Sequence, residues 1–297
     1  MVKTDPLRKY KEIAVFGAGA TGRAVVDSLV GKGIKIFVTE NNEIKPKTRN
    51  KFRRRGVEFE EGGHSERVLT ADLVVLSPGV PPNHKMVKEA RNHGIPTIGE
   101  IELAYRLSPT DRIVAVTGTN GKSTTVNLIN EILGFAGTSS VACGNIGTPF
   151  ISQISSLTPS DVAVVEVSSY QLETTEKFKP HVAVLTNLQP DHLERHGSFE
   201  KYREAKLRIF NNQGERDYAV IKEGLDLEVP NRKPTLVEFC PGEPREVELL
   251  PHQKENVGAA LAAVNCLVEE TGCASPPPGP VTRGLNLPHR LESVGSP

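Results

Sequence analysis

The chain has 297 residues, which is room for two domains of ordinary size. Lysine plus arginine and aspartate plus glutamate each number 36, so no global basic field draws it to nucleic acid or a membrane surface. The charged opening MVKTDPLRKYKEI lacks the apolar core of a signal peptide, and no apolar run approaches the roughly 18 residues of a membrane span. The four cysteines (Cys143, Cys240, Cys266, Cys273) form no CxxC pair, so a reduced, cytoplasmic, soluble protein without membrane insertion is expected.

Residues 12–40 predict a βαβ unit. A strand IAVF leads into Gly17-Ala18-Gly19-Ala20-Thr21-Gly22, a helix runs to Val30, GKG turns the chain, and IKIFV ends near Glu40. GxGxxG with an acidic residue about 20 positions on is the dinucleotide fingerprint. Taken alone it suggests NAD. The same geometry binds any diphosphate, and a glycine turn that binds nothing also fits. Next, ADLVVLSPGVP (71–81) is a buried strand entering a Ser-Pro-Gly loop. A helix around His84 to Asn92 and the segment GIPTIG complete an alternating β/α pattern, and a boundary is expected between Gly99 and Asp111.

The stretch RIVAVTGTNGKSTTVNLINEIL (112–133) predicts a buried strand, a tight polar loop and a helix. Gly118 and Gly121 let the backbone curl so that successive N–H groups face one anion, and the helix N-terminus adds partial positive charge. Lys122 can reach terminal phosphates, and the Ser123 hydroxyl suits Mg²⁺. Only Thr119 and Asn120 separate the glycines, where the general P-loop has four residues. Val126, Ile129 and Leu133 share one helix face, which is expected to stop at Gly134. This reads as an ATP site.

Three more strand-like runs follow. SSVACGNIG (139–147) ends at Asn145, DVAVVEVSSYQLE (161–173) carries Glu166 near the end of its apolar run, and HVAVLTNLQPDH (181–192) delivers Asp191 and His192. Ligands of open parallel sheets sit outside the carboxyl ends of the strands, so the P-loop, Asn145, Glu166 and His192 are expected on one rim. A carboxylate, an imidazole and a hydroxyl beside ATP suit Mg²⁺, directly or through water. Taken singly, Glu166 also reads as a strand-end charge and His192 as a loop histidine.

Ser198 is expected to cap the helix FEKYREAKLRIFNN, whose Phe199, Tyr202, Ile209 and Phe210 form an apolar stripe with Lys206 near its middle. That amine either snorkels outward or is held inside for chemistry, because burial disfavours an ammonium. DYAVI and PTLVEF read as strands. HQKENVGAALAAVNCLVEE reads as a helix ending at Thr271-Gly272, SPPPGP (275–280) as a connection, and no internal repeat is present.

Together, VTGTNGKSTT, GNIG, EVSSYQLE, DHLERHG, YREAKLRIF and LPHRLE resemble the ATP-dependent Mur ligases from about Glu12 to Glu292. SSYQLE resembles the branch of that family that adds D-glutamate to UDP-N-acetylmuramoyl-L-alanine in peptidoglycan synthesis. The short loop between the P-loop glycines is the form this family uses. The resemblance implies an α/β fold, with an N-terminal Rossmann-like UDP-binding domain (1–98) and a central P-loop ATPase-type domain with a mostly parallel sheet (99–292). Residues 293–297 would be a stub where a third domain begins, leaving the chain incomplete for catalysis.

The resemblance also implies residue roles. Gly17, Gly19, Ala20, Thr21, Gly22, Glu40, Asn41, Asn42, Ser77 and Gly79 would hold UDP rather than NAD, with Asn145 and His192 on the muramoyl side. Gly118, Thr119, Asn120, Gly121, Lys122, Ser123, Thr124, Gln253, Asn256, His289 and Arg290 would serve ATP. Lys122, Glu166, His192 and Lys206 would be catalytic. Two Mg²⁺ ions would use Ser123, Glu166, His192 and Lys206, the last carbamylated by CO₂. One departure is LPHQKEN, where Gln253 stands at the family's second asparagine-like position. The implied reaction joins UDP-N-acetylmuramoyl-L-alanine to D-glutamate through an acyl phosphate, by a monomer. Three other readings stay open: a non-catalytic two-domain nucleotide-binding remnant, an NAD-dependent oxidoreductase, and a folylpolyglutamate-synthase-like ligase.

Overall fold

The computed structural model describes residues 6–225, 227, 229, 233–242 and 249–271. In chain order its first elements are β1 (Glu12–Phe16), α1 (Ala20–Leu29), β2 (Lys35–Glu40), α2 (Pro46–Arg54), β3 (Glu58–Glu61), β4 (Leu73–Leu76), α3 (Lys85–Asn92), β5 (Thr97–Gly99) and α4 (Glu100–Leu107). There follow β6 (Ile113–Thr117), α5 (Lys122–Phe135), β7 (Ser140–Gly144), α6 (Phe150–Gln153), β8 (Val162–Glu166), α7 (Ser169–Leu172) and β9 (Val182–Leu185). The last are α8 (Leu193–His196), α9 (Phe199–Leu207), β10 (Tyr218–Lys222), β11 (Thr235–Phe239) and α10 (Pro251–Thr271).

Two sheets result, one of five strands ordered β3-β2-β1-β4-β5 and one of six ordered β11-β10-β9-β6-β8-β7. The registered pairs β1/β2, β1/β4, β6/β8 and β6/β9 are all parallel. Strands covered on both faces need apolar side chains at every position rather than at alternate ones. Accordingly Ile13, Ala14, Val15 and Phe16 of β1, Ile113 to Val116 of β6 and Val182 to Leu185 of β9 are fully buried. In each sheet the chain leaves its first strand to one side and later returns to the other. That reversal opens a crevice at the carboxyl ends of β1 and β4, and another at those of β6, β8 and β9.

By contacts the chain divides into two compact units. The first comprises 1–109, 143–158 and 167–179; the second comprises 110–142, 159–166 and 180–297. Helix α4, expected from the sequence at the head of the second domain, therefore groups with the first unit. Its fully buried Glu102 explains why: Oε2 accepts the backbone N–H groups of Glu176, Lys177 and Phe178, each at 2.9 Å. Oε1 accepts Arg106 Nε at 2.7 Å. Gly99 lies so close to the same segment that a Cβ there would stand 2.1 Å from Thr174 Oγ1.

The P-loop helix α5 continues through Gly134, against the expectation that it stops there. Gly137 (φ +73°) supplies the left-handed residue, with the Thr138 N–H bonded to Leu133 O and the Gly137 N–H to Gly134 O. This is the Schellman pattern, displaced three residues from the expected glycine.

Candidate functional site

In the second unit, β6 ends at Thr117 and the chain turns through Gly118 and Gly121 into α5. Both glycines are required. Gly118 has φ +152° and a Cβ there would meet Thr186 Oγ1 at 1.9 Å; Gly121 has φ +80° and would meet Asn256 Oδ1 at 2.1 Å. Lys122 folds back so that Nζ donates to Gly118 O (2.9 Å) and Thr119 O (2.8 Å). Ser123 Oγ donates to Glu166 Oε2 at 2.7 Å, because β8 pairs beside β6 with Glu166 in register with Val116.

Lys206 joins the same loop from α9. Ser198 caps that helix as expected, accepting the Lys201 N–H. Lys206 is 2 % exposed, donates from Nζ to Gly118 O at 2.7 Å, and lies over the Tyr202 ring at 4.7 Å. Burial first, then the charge of Lys122, pushes its ammonium down to about 7 against the pull of Asp191 and Glu166. The amine is held inside rather than snorkelling out.

Sequence reasoning missed the residues that hold the loop from β9. Thr186 Oγ1 donates to Asn120 O (2.7 Å), and the Asn187 side chain both accepts the Asn120 N–H (2.9 Å) and donates to Asn120 O (3.1 Å). The Gln189 N–H donates to Thr119 Oγ1, which also lies 3.1 Å from the Tyr202 hydroxyl. The available signal was the polar run TNLQP directly after the apolar strand VAVL.

Other expected residues are placed differently. Asn256 is buried against Gly121, beside the cradle. Gln253 instead accepts the Leu250 N–H at 2.9 Å, closing the first turn of α10. His192 sits half-exposed in a left-handed turn (φ 52°), with its ring 6.4 Å from that of Tyr202 and its Nε2 3.5 Å from Asp191. Thr124 lies in the first turn of α5. His289 and Arg290 lie outside the described residues.

The donor set fits a hard cation. Ser123 and Glu166 present a hydroxyl and a carboxylate side by side, and Mg²⁺ prefers such oxygens. Among the described residues no group of three or more His, Cys, Asp or Glu could hold a metal alone. A cation here would complete its shell with phosphate oxygens and water.

In the first unit, a cleft of about 700 Å³ opens at the β1/β4 switch point. It brings together Gly17, Gly19, Ala20, Thr21, Glu40, Asn41, Asn42, Ser77, Gly79 and Asn145, all expected substrate-side residues. Asn145 thus lines the cleft beside the first glycine loop. Gly22 is packed so tightly on that loop that a Cβ would meet Gly17 O at 1.8 Å. Glu40 accepts the N–H groups of Ala18 (2.7 Å) and Asn42 (3.0 Å), so this carboxylate braces the glycine loop. The Ser77 hydroxyl is buried without a hydrogen-bond partner. His64 and His84 also line the cleft, and no sequence motif marked them.

Two family models match the chain: Mur ligase middle domain over residues 116–236, and MurD N-terminal domain over 12–86. UDP-N-acetylmuramoylalanine–D-glutamate ligase of Chlorobaculum tepidum is 44 % identical over 214 residues, covering 70 % of this chain and 46 % of that protein. The ligase of the same name from Alkaliphilus metalliredigens is 45 % identical over 218 residues, covering 72 % and 48 %. The chain thus spans about half the length of the curated relatives it matches. Among solved structures, the UDP-N-acetylmuramate:L-alanyl-gamma-D-glutamyl-meso-diaminopimelate ligase from Neisseria meningitides aligns with a TM-score of 0.61 at 16 % identity. That alignment covers 93 % of this chain and 97 % of that one. A murein peptide ligase from Psychrobacter arcticus aligns at 0.55 and 15 % identity, covering 93 % and 68 %. At these identities the structures speak for the fold alone. Among the described residues, no helix is long and apolar enough to cross a membrane.

Proposed function

The chain belongs to the Mur ligase family, and from that we propose that it serves ATP-dependent addition of D-glutamate to UDP-N-acetylmuramoyl-L-alanine. On this reading the first unit's cleft holds the UDP-sugar and the P-loop holds ATP, in a cytoplasmic monomer. The observation that carries it is the meeting of Lys122, the Ser123–Glu166 pair and the buried Lys206 on one short glycine loop.

The chemistry asked of these residues is largely electrostatic. The alanine carboxylate attacks the γ-phosphorus of ATP, ADP leaves, and an acyl phosphate forms. The amine of D-glutamate then attacks the acyl carbon and phosphate departs, the nitrogen losing a proton. Two anions must first be brought together, so Lys122 and the N–H groups of the cradle have to offset phosphate charge. Ser123 and Glu166 would hold Mg²⁺, which supplies further charge neutralisation when bound. Lys206 would carry a carbamate: its neutral amine adds to the carbon of CO₂ and releases one proton, converting a cation donor into an anionic oxygen ligand.

This use of Lys206 gives a direct expectation. With ¹³C-bicarbonate and Mg²⁺, a carbamate signal should grow as pH rises through about 7, because only the deprotonated amine reacts. Lys206→Ala should lose that signal, and its Mg²⁺-dependent ATP turnover should recover in part with added formate. A wild-type chain with no carbamate signal up to pH 8.5 would remove this role.

For the overall reading, the chain is incubated with UDP-N-acetylmuramoyl-L-alanine, ATP, Mg²⁺ and an amino-acid panel. The incubation is done alone and again with the portion of a relative that the chain does not match. A product specific for D-glutamate, confirmed by mass, supports the reading. Binding of NAD without binding of the UDP-sugar would overturn it.

A further inference from the structure

We propose that His64 and His84 form a proton-accepting pair that receives the diphosphate of a nucleotide-sugar in the first unit's cleft, so that ligand binding draws a proton onto the pair. The inference rests on the reading of this cleft as the UDP-sugar site and adds to it the groups that meet the charge.

A diphosphate needs cationic or N–H partners, yet the cleft lining contains neither lysine nor arginine among the described residues. Its carboxylate, Glu40, is engaged with the amides of Ala18 and Asn42. The side chains in the lining able to become cationic are the two histidines. Both are held by contacts that leave one ring nitrogen for a ligand. Thr39, fully buried on β2, has a single hydroxyl hydrogen and lies 2.7 Å from Glu60 Oε1, which in its ionised form can only accept. The same hydroxyl lies 2.7 Å from His64 Nδ1, so it accepts from an Nδ1–H there. The relay Glu60–Thr39–His64 thus fixes the proton on Nδ1 and leaves Nε2 as the nitrogen that gains one. His84 caps α3, its Nδ1 accepting the Met86 N–H, which places its neutral-state hydrogen on Nε2. The two rings meet edge to face at 4.9 Å, each also against Phe16.

The titratable groups around His64 are Glu60 on β3, Glu40 at the end of β2, and His84 before α3. Burial, then His84, holds its imidazolium below the ordinary histidine range, against the opposing pull of the two carboxylates. Burial thus favours the neutral form of His64. A diphosphate arriving beside it favours the charged form, so protons are taken up on binding and affinity rises as pH falls.

The test is calorimetric titration of the full chain with UDP-N-acetylglucosamine, whose diphosphate diester does not ionise between pH 6 and 8. Runs at pH 7 in PIPES and in Tris, which differ in ionisation enthalpy, should reveal uptake of roughly half to one proton per ligand. Affinity should fall roughly ten-fold between pH 6.5 and 8. His64→Gln should bind more weakly at pH 6.5 and flatten that dependence, while His84→Gln should bind more weakly and keep the slope. Wild-type binding with no buffer dependence and no pH slope overturns the inference and leaves the UDP-sugar reading standing. No binding at any pH overturns both. The wild-type measurements decide the matter even if a variant fails to fold.

Discussion

Lys122→Ala is expected to lower the affinity for Mg²⁺–ATP by about 30-fold to several thousand-fold, the range that follows from losing a charged partner of phosphate worth roughly 2–5 kcal/mol. In the structure the ammonium rests on the carbonyls of Gly118 and Thr119. These contacts hold it at the mouth of the cradle, where an incoming phosphate offers a stronger, fully charged acceptor. Truncation removes the charge and frees the two carbonyls, while Gly118 O keeps its second donor in Lys206. The loop should therefore keep its shape, and the loss should read as binding rather than unfolding. Calorimetry with ATP checks the first part. Parallel titration with the UDP-sugar should be unchanged, since its cleft belongs to the other unit. Loss of both ligands from a variant with native circular dichroism would mean that the two sites are not separate.

The largest effect on stability is expected at Glu102. Replacing it by alanine should destabilise the chain by about 3–5 kcal/mol, the usual cost of removing one partner from a buried, hydrogen-bonded charge pair. Three backbone N–H groups converge on Oε2 and Arg106 on Oε1. Alanine leaves all four donors facing a cavity that water reaches poorly. Against a typical total of about 5–15 kcal/mol, this is a large fraction. Urea titration followed by far-ultraviolet circular dichroism should show a clearly lowered midpoint. A loss below about 1 kcal/mol would mean that the amides of 176–178 find other acceptors. Glu102→Gln should fall between, since an amide can present its oxygen to only one of the two donor sets.

Much of this was legible in the sequence, for identifiable reasons. Parallel strands buried on both faces have to be apolar throughout, so β1, β4, β6, β8 and β9 stood out as unbroken runs. The glycine loops were legible because Gly17 (φ +95°) and Gly121 (φ +80°) adopt a backbone that other residues rarely take. Lys206 was visible as a lysine on an apolar stripe. What escaped was carried by contacts between positions distant in the chain. Thr186, Asn187 and Gln189 reach the P-loop across 66 to 70 residues, because β9 is its neighbour in the sheet and not in the sequence. Glu102 falls inside the boundary expected between Gly99 and Asp111 and belongs to no motif, because its partners lie 74 to 76 residues away. Gln253 was assigned by motif position, but the helix start claims its side chain for the Leu250 amide.

The segments 143–158 and 167–179 return to the first unit after the chain has already entered the second. That interleaving bears on how the molecule can be taken apart. A gene cut at residue 109 would look like a clean excision of a Rossmann-like module, and it would not be one. The excised piece would carry Glu102 without the amides of Glu176, Lys177 and Phe178, and its cleft would lack Asn145. Grafts, swaps and minimal binding modules built from this architecture need the later segments spliced back in, because modularity in three dimensions does not follow the linear order of the chain.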